Sequence, residues 1–291
     1  MLRYVKVAKK KEEPDALSTV GPAAAAAGVT TAVGNVAQAS NIEKMFENAD
    51  KETPLTSKQM KGLRKNIGAK HVPVVEAGAA AKARGAVAVP PHIPRSANKG
   101  KGLGGMFSKF VVDQVTEGGD KPDPTRAART GFAAVPGGEK GAPSMVAHEM
   151  GHLSGKSKRF GLRNKTYARI VPRMQALAKP AGAVAGFLSS AKADGKDQGA
   201  VKETARGGAY GAAAGLAAAS PNLFEEGRAS VRAVRGLKSV GVRGKALRAV
   251  KGTLTRGFGS YAGAAALGGA ALGMVGSGAG RYKRESDKAK A

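Results

Sequence analysis

The pentapeptide His148-Glu149-Met150-Gly151-His152 concentrates three chemically useful side chains in one short stretch. On a helix, residues four apart share a face, so His148 and His152 can offer both imidazoles to one ion at about 2.0–2.1 Å. Glu149 is then placed to take a proton from water as that water attacks a peptide carbonyl. The chain has 4 histidines in all, and chance assembly of this arrangement is on the order of a few in a thousand. The competing readings are an amphipathic helix with an internally satisfied histidine pair, and a site that binds metal without cutting.

A catalytic zinc ion needs a third protein ligand and an open fourth position. His71 and His92 lie upstream among prolines, at loop or strand-end positions that do not suit this role. Glu225 and Glu226 are better placed, following an apolar stretch and opening a helix; as plain N-terminal carboxylates they would also suit the helix dipole. Cysteine is absent, which removes thiolate ligands and disulfides together.

His148-Glu149-Met150-Gly151-His152, an apolar hairpin, and then Glu226-Gly227-Arg228-Ala229-Ser230 resemble the gluzincin membrane peptidases related to the CAAX prenyl endopeptidase and the bacterial heat-shock membrane protease. The downstream helix of that group reads Glu-x-x-Ala-Asp, and its Glu is the third zinc ligand. The resemblance covers roughly residues 143–235. It implies a Zn2+ site of His148, His152 and Glu226, with Glu225 as the fallback, Glu149 as the catalytic base, and a protein or peptide substrate. Ser230 stands where the group has Asp, a departure at the position that backs a zinc-bound histidine. The metzincin pattern is also similar through Gly155, but Lys158 falls where its third histidine belongs, and an ammonium cannot be a ligand.

The elements that must hold these residues follow from the surrounding pattern. A helix is expected over 144–153, started by Pro143 and Ser144 and burying Met145-Val146-Ala147. The valine-rich pieces 71–75 and 85–90, punctuated by prolines, read as two short strands, and a zincin-like fold would set one beside the metal helix as an edge for substrate. Residues 95–142 read as loops around a short apolar piece, 106–115. Uncharged stretches at 180–191 and 207–224 outline a helical hairpin, and regularly spaced Arg and Lys from Arg228 to Lys251 read as one basic helix. The expected fold class is mainly α with a small β element: a zincin-like core helix pair plus Ala/Gly-rich helices suited to a membrane. The composition divides the chain into a basic lead, Ala/Gly-rich helix and polar surface segment or linker (1–70), a zincin-like domain interrupted by the hairpin at about 174–224 (71–255), and an apolar helix with a basic tail (256–291).

The rest of the composition bears on partners. The chain carries 48 Lys and Arg against 21 Asp and Glu, a net charge of +27 that attracts polyanions, so non-specific nucleic acid and an anionic membrane are both expected partners. No aromatics are interleaved with the basic residues, which excludes a base-stacking platform. Gly21–Ser40 and Gly257–Gly280 are uncharged and long enough to cross a bilayer, while the Ala23–Ala27 run lacks the Leu or Ile of a cleaved secretory signal. The pairs Gly259/Gly263, Gly269/Gly273 and Gly276/Gly280 allow close helix approach, within the chain or in a homo-oligomer. High charge, glycine-zipper helices and few aromatics resemble the internal virion proteins of tailed phages. That implies a virion interior and then the host envelope, against a cellular membrane peptidase. The non-enzyme alternative is a structural or ejection protein that binds DNA and envelope and keeps HExxH as a relic.

Overall fold

The two valine-rich segments form strands, β1 (Val74–Glu76) and β2 (Val87–Val89), but they do not pair with each other. Each pairs instead with β3 (Phe132–Val135), β1 in parallel and β2 antiparallel, giving the order β1-β3-β2. The protein is seen here as a computed structural model describing residues 15–82, 85–99, 102–116, 121–155, 164, 166, 180–191 and 199–290. Its helices are α1 (Ala16–Asp50), α2 (Ser57–Ile67), α3 (Ala79–Lys82), α4 (His92–Lys99), α5 (Gly102–Thr116), α6 (Pro124–Thr130), α7 (Pro143–His152), α8 (described over 180–191), α9 (Ala200–Ser239) and α10 (Gly244–Lys290). The described chain is thus mainly α with a small β element.

These residues gather into two compact units. One draws on the ranges Val36–Gln175 and Ser220–Gly263 and contains the sheet. All four residues of β3 are buried there because the sheet is covered on both faces. Alternation along the strand sends Ala133 and Val135 to one side, with Val74, Val146, Met150 and Leu237, and Phe132 and Ala134 to the other, with Val75, Val89 and Ala127. Residues 41–70, read from sequence as a surface segment or linker, contribute α2 to this core. Met60, Leu63 and Ile67 are buried along one stripe of α2, a Thr56–Gln59 capping box starts it, and left-handed Gly68 ends it.

Two sequence expectations are corrected in this unit. The 95–142 stretch is not a set of loops: it holds α4, α5, α6 and β3. The basic helix expected from Arg228 to Lys251 is two helices, because Gly241 and Gly244 take φ of 91° and 58° and turn the chain between α9 and α10. Lys156, Lys158, Arg159, Arg163 and Lys165, a run of basic residues behind the pentapeptide, lie outside the described residues, as does the lead ahead of Asp15.

The other unit draws on Met1–Asn35, Ala176–Ala219 and Ala264–Ala291. Its helices touch backbone to backbone at glycines. A Cβ at Gly182 would sit 2.7 Å from the Gly269 carbonyl oxygen, and Gly211 and Gly276 meet the backbones of Gly269 and Ala183 as closely. Two of the three small-residue pairs, Gly269/Gly273 and Gly276/Gly280, are therefore used inside this unit, whereas Gly259 and Gly263 have nothing within 4 Å of an added Cβ. Helices α1 and α10 are both long and apolar enough to cross a membrane.

Candidate metal centre

Helix α7 begins at Pro143, whose missing N–H is no loss in a first turn, but it follows Ala142, which has no side chain to cap with. Glu52 fills that role from 92 residues away: one carboxylate oxygen accepts from the Ser144 N–H at 2.8 Å, and the other from the Thr253 hydroxyl at 2.7 Å. Burial pushes the Glu52 pKa up, with these hydrogen bonds opposing it. A buried acid thus ties the N-terminus of α7 to α10, where a carboxylate also suits the helix dipole.

Near the end of α7 the four-residue spacing brings the Nε2 atoms of His148 and His152 to 3.1 Å, with the rings edge to face. Glu226 of α9 closes the group, its Oε2 lying 3.0 Å from His148 Nε2 and 3.6 Å from His152 Nε2. An ion with tetrahedral geometry and bonds of about 2.0–2.1 Å needs its donors about 3.3–3.4 Å apart, a spacing the three sides bracket. The donor atoms of His148, His152 and Glu226 could hold a metal ion.

Gly151 is what lets α9 come this near. A Cβ there would lie 2.9 Å from the Ala229 carbonyl oxygen and 3.1 Å from its Cα, so the two backbones are in contact. Ala229 and Ala233 are fully buried on the same face of α9, and Gly236 continues it against Leu63 and Ile67 of α2. Arg232 adds a hydrogen bond from its guanidinium to the Gly151 carbonyl at 2.9 Å.

Of the outer ring nitrogens, that of His148 is hydrogen-bonded, whereas that of His152 is buried within ion-pair range of a carboxylate without a hydrogen bond. His148 Nδ1 lies 3.2 Å from the Ser230 hydroxyl, and His152 Nδ1 lies 3.6 Å from the Glu225 carboxylate, itself 3.7 Å from Arg232. Ser230, where a carboxylate would be expected from the resemblance, still reaches the imidazole. The Ser230 contact fixes the His148 ring, and both Nε2 atoms face inward. Glu149, Glu225 and Glu226 are all buried here, and the ion pairs at the cluster bring one guanidinium, Arg232, among the described residues. A divalent cation would compensate that excess of negative charge.

The electrostatics follow from this crowding. Burial alone would lower His152, but the Glu225 and Glu226 carboxylates outweigh it and raise the imidazole to about 10. Burial alone would raise Glu226, yet His148 and His152 hold its carboxyl well below the usual carboxylate range. For Glu149 burial wins and its pKa rises, against the pull of both histidines and a hydrogen bond from the Ala88 N–H of β2. A small cavity of about 50 Å³, lined by Met45, Met145, His148, Glu149, Glu226 and Tyr261, opens at the group. That is room for water at the metal position.

His148, Glu149, His152 and Glu226 are thus brought together. Glu225 is not in the donor group and stands behind His152. Neither glutamate opens a helix, since both lie well inside α9, so the helix-dipole reading of the pair does not apply. His71 and His92 take no part in the donor group, and Lys158 is outside the described residues. Sequence reasoning passed over Arg232 and Glu52. The seven-residue spacing from Glu225 to Arg232 is a helical-face signal for the first, whereas nothing local marks the second. No protein-family model, curated protein or solved structure matches the chain.

Proposed function

We propose that this protein is a zinc-dependent peptidase working at a membrane, with His148, His152 and Glu226 as metal ligands and Glu149 as the general base. The observation that carries this reading is the near-equilateral triangle of two Nε2 atoms and one carboxylate oxygen, with sides of 3.0–3.6 Å, beside a buried glutamate. Two histidines and a glutamate form a donor set suited to catalytic zinc with an open position. Zinc held there would supply Lewis acidity toward a carbonyl and make it easier for the attacking water to lose its proton.

The chain's own residues do the rest. Glu149, buried beside the two histidines, takes the proton of the attacking water and passes it to the leaving amine. Ser230 holds the His148 imidazole in register while this happens, and the Glu225 carboxylate offsets charge on His152. The length and apolar character of α1 and α10 support work at a bilayer.

The test is zinc content and peptide hydrolysis of the purified protein beside three variants. Near-stoichiometric zinc is expected in the parent, lost in His148→Ala and Glu226→Ala. Glu149→Gln should keep the metal and lose at least about 100-fold in hydrolysis. Full zinc in Glu226→Ala would mean that the ligand set is wrong. A parent with no zinc after metal-replete purification would leave a structural or ejection role with a relic motif.

A further inference from the structure

The 50 Å³ cavity at the histidines has room for a water and none for a substrate side chain, yet a groove of about 520 Å³ lies directly beside it. The groove runs between α9 and α10 within one unit, and Val231, Val234, Leu254 and Phe258 give it an apolar floor. Leu254 and Phe258 line both spaces, and Ser230, which holds His148 Nδ1, lines the groove as well. Arg235, Lys238 and Lys251 stand exposed around this floor. No acidic residue lines the groove, and none of the three cations takes part in an ion pair among the described residues.

Building on the peptidase reading, we infer that this groove is the substrate-binding face of the centre and takes a peptide segment that joins an apolar side chain to acidic neighbours. Val231 and Phe258 are 48% and 38% exposed, so the apolar floor is open to an incoming side chain. Its volume is that of a site for a few side chains, not of a track for a duplex. Phe258 is the one aromatic in the floor, and Val231, Val234 and Leu254 do not stack on bases, so the groove lacks the succession of stacking platforms of a single-strand channel. Unpaired cations above an apolar floor select carboxylates next to the bound side chain and repel basic sequences. The shared wall of Leu254 and Phe258 puts such a segment immediately against the Glu149 and Glu226 cavity.

The test uses the full chain as the Glu149→Gln variant, loaded with zinc so that nothing is turned over, and reads fluorescence anisotropy. The probes are a labelled peptide alternating Leu and Glu, its Leu–Lys counterpart, a short duplex DNA, and vesicles of phosphatidylglycerol with phosphatidylcholine. The Leu–Glu peptide should bind and the Leu–Lys peptide should not. Arg235→Glu with Lys251→Glu should weaken binding by about tenfold or more. Phe258→Ala should weaken it with zinc content unchanged. Lys58→Glu with Lys61→Glu, which alters net charge equally outside the groove, should leave it unchanged. Equal binding of both peptides, or loss equal to that of the control pair, overturns the inference. So does a result in which the groove substitutions abolish DNA or vesicle binding and spare the peptide. Zinc measured on the same samples separates the two readings: groove-dependent peptide binding without zinc removes the peptidase and keeps the groove, and zinc with groove-independent binding does the reverse.

Discussion

His152 meets a carboxylate on each side of its ring, and that arrangement sets how metal affinity responds to pH. In the metal-free protein these carboxylates raise the imidazole to about 10, so at neutral pH a proton occupies the position a metal needs. Because the ligand must be neutral, apparent affinity should rise by about tenfold per pH unit from pH 6 toward 9, with proton release on binding. The sign reverses for the metal-free fold. A histidine raised above its ordinary 6.5 stabilises the fold fully below that value, and the contribution is lost as pH rises through about 10. Chelator competition at pH 6, 7 and 8, with Glu225→Gln beside the parent, checks this; a flat profile in the parent would contradict it, and the variant should show the shallower slope. The pentapeptide was legible in the sequence because its three functional residues are contiguous. Glu226 lies 78 residues beyond His148, and only the resemblance singled it out from Glu225. The separate places of the two, one facing Nε2 and one facing Nδ1, depend on how α9 is rotated, which no local pattern encodes.

Helix approach is the next scale at which the site is made. Gly151→Ala puts a methyl group against the Ala229 backbone, which has no flexible end to move, so α7 and α9 must separate. The expected cost is about 1–3 kcal/mol of stability together with weaker metal binding, read by thermal unfolding and zinc titration of the same samples. An unchanged zinc affinity would mean that the contact does not position Glu226. The strands β1 and β2 were readable because valines cluster between prolines, while β3 was not, because a four-residue strand buried on both faces shows no alternation. The shift from apolar to charged residues after Phe224 suggested a new helix. It marks a change of surroundings along α9, whose backbone continues from Ala200 to Ser239.

Over the whole molecule, a charge of +27 and two long apolar helices make different demands on a membrane. Charge attraction alone is screened by salt, whereas inserted helices are not released by it. The protein should therefore bind anionic vesicles more tightly at low salt and yet remain with them at about 1 M salt, where the Debye length is near 3 Å, until detergent is added. Complete release by salt would assign α1 and α10 to packing alone. Composition had announced close small-residue packing, and it was correct about the type of contact. Which glycine pairs engage was not legible, because the three pairs have the same spacing and differ only in what lies opposite. The ligand side chains are between 5% and 14% exposed, inside a chain whose overall field repels cations. A dication arriving after folding would have to cross that field, and its way in is the small cavity that opens at His148, Glu149 and Glu226. The proposed metal would therefore load faster as salt screens that field, so that its rate of capture rises with ionic strength while attraction to anionic vesicles falls.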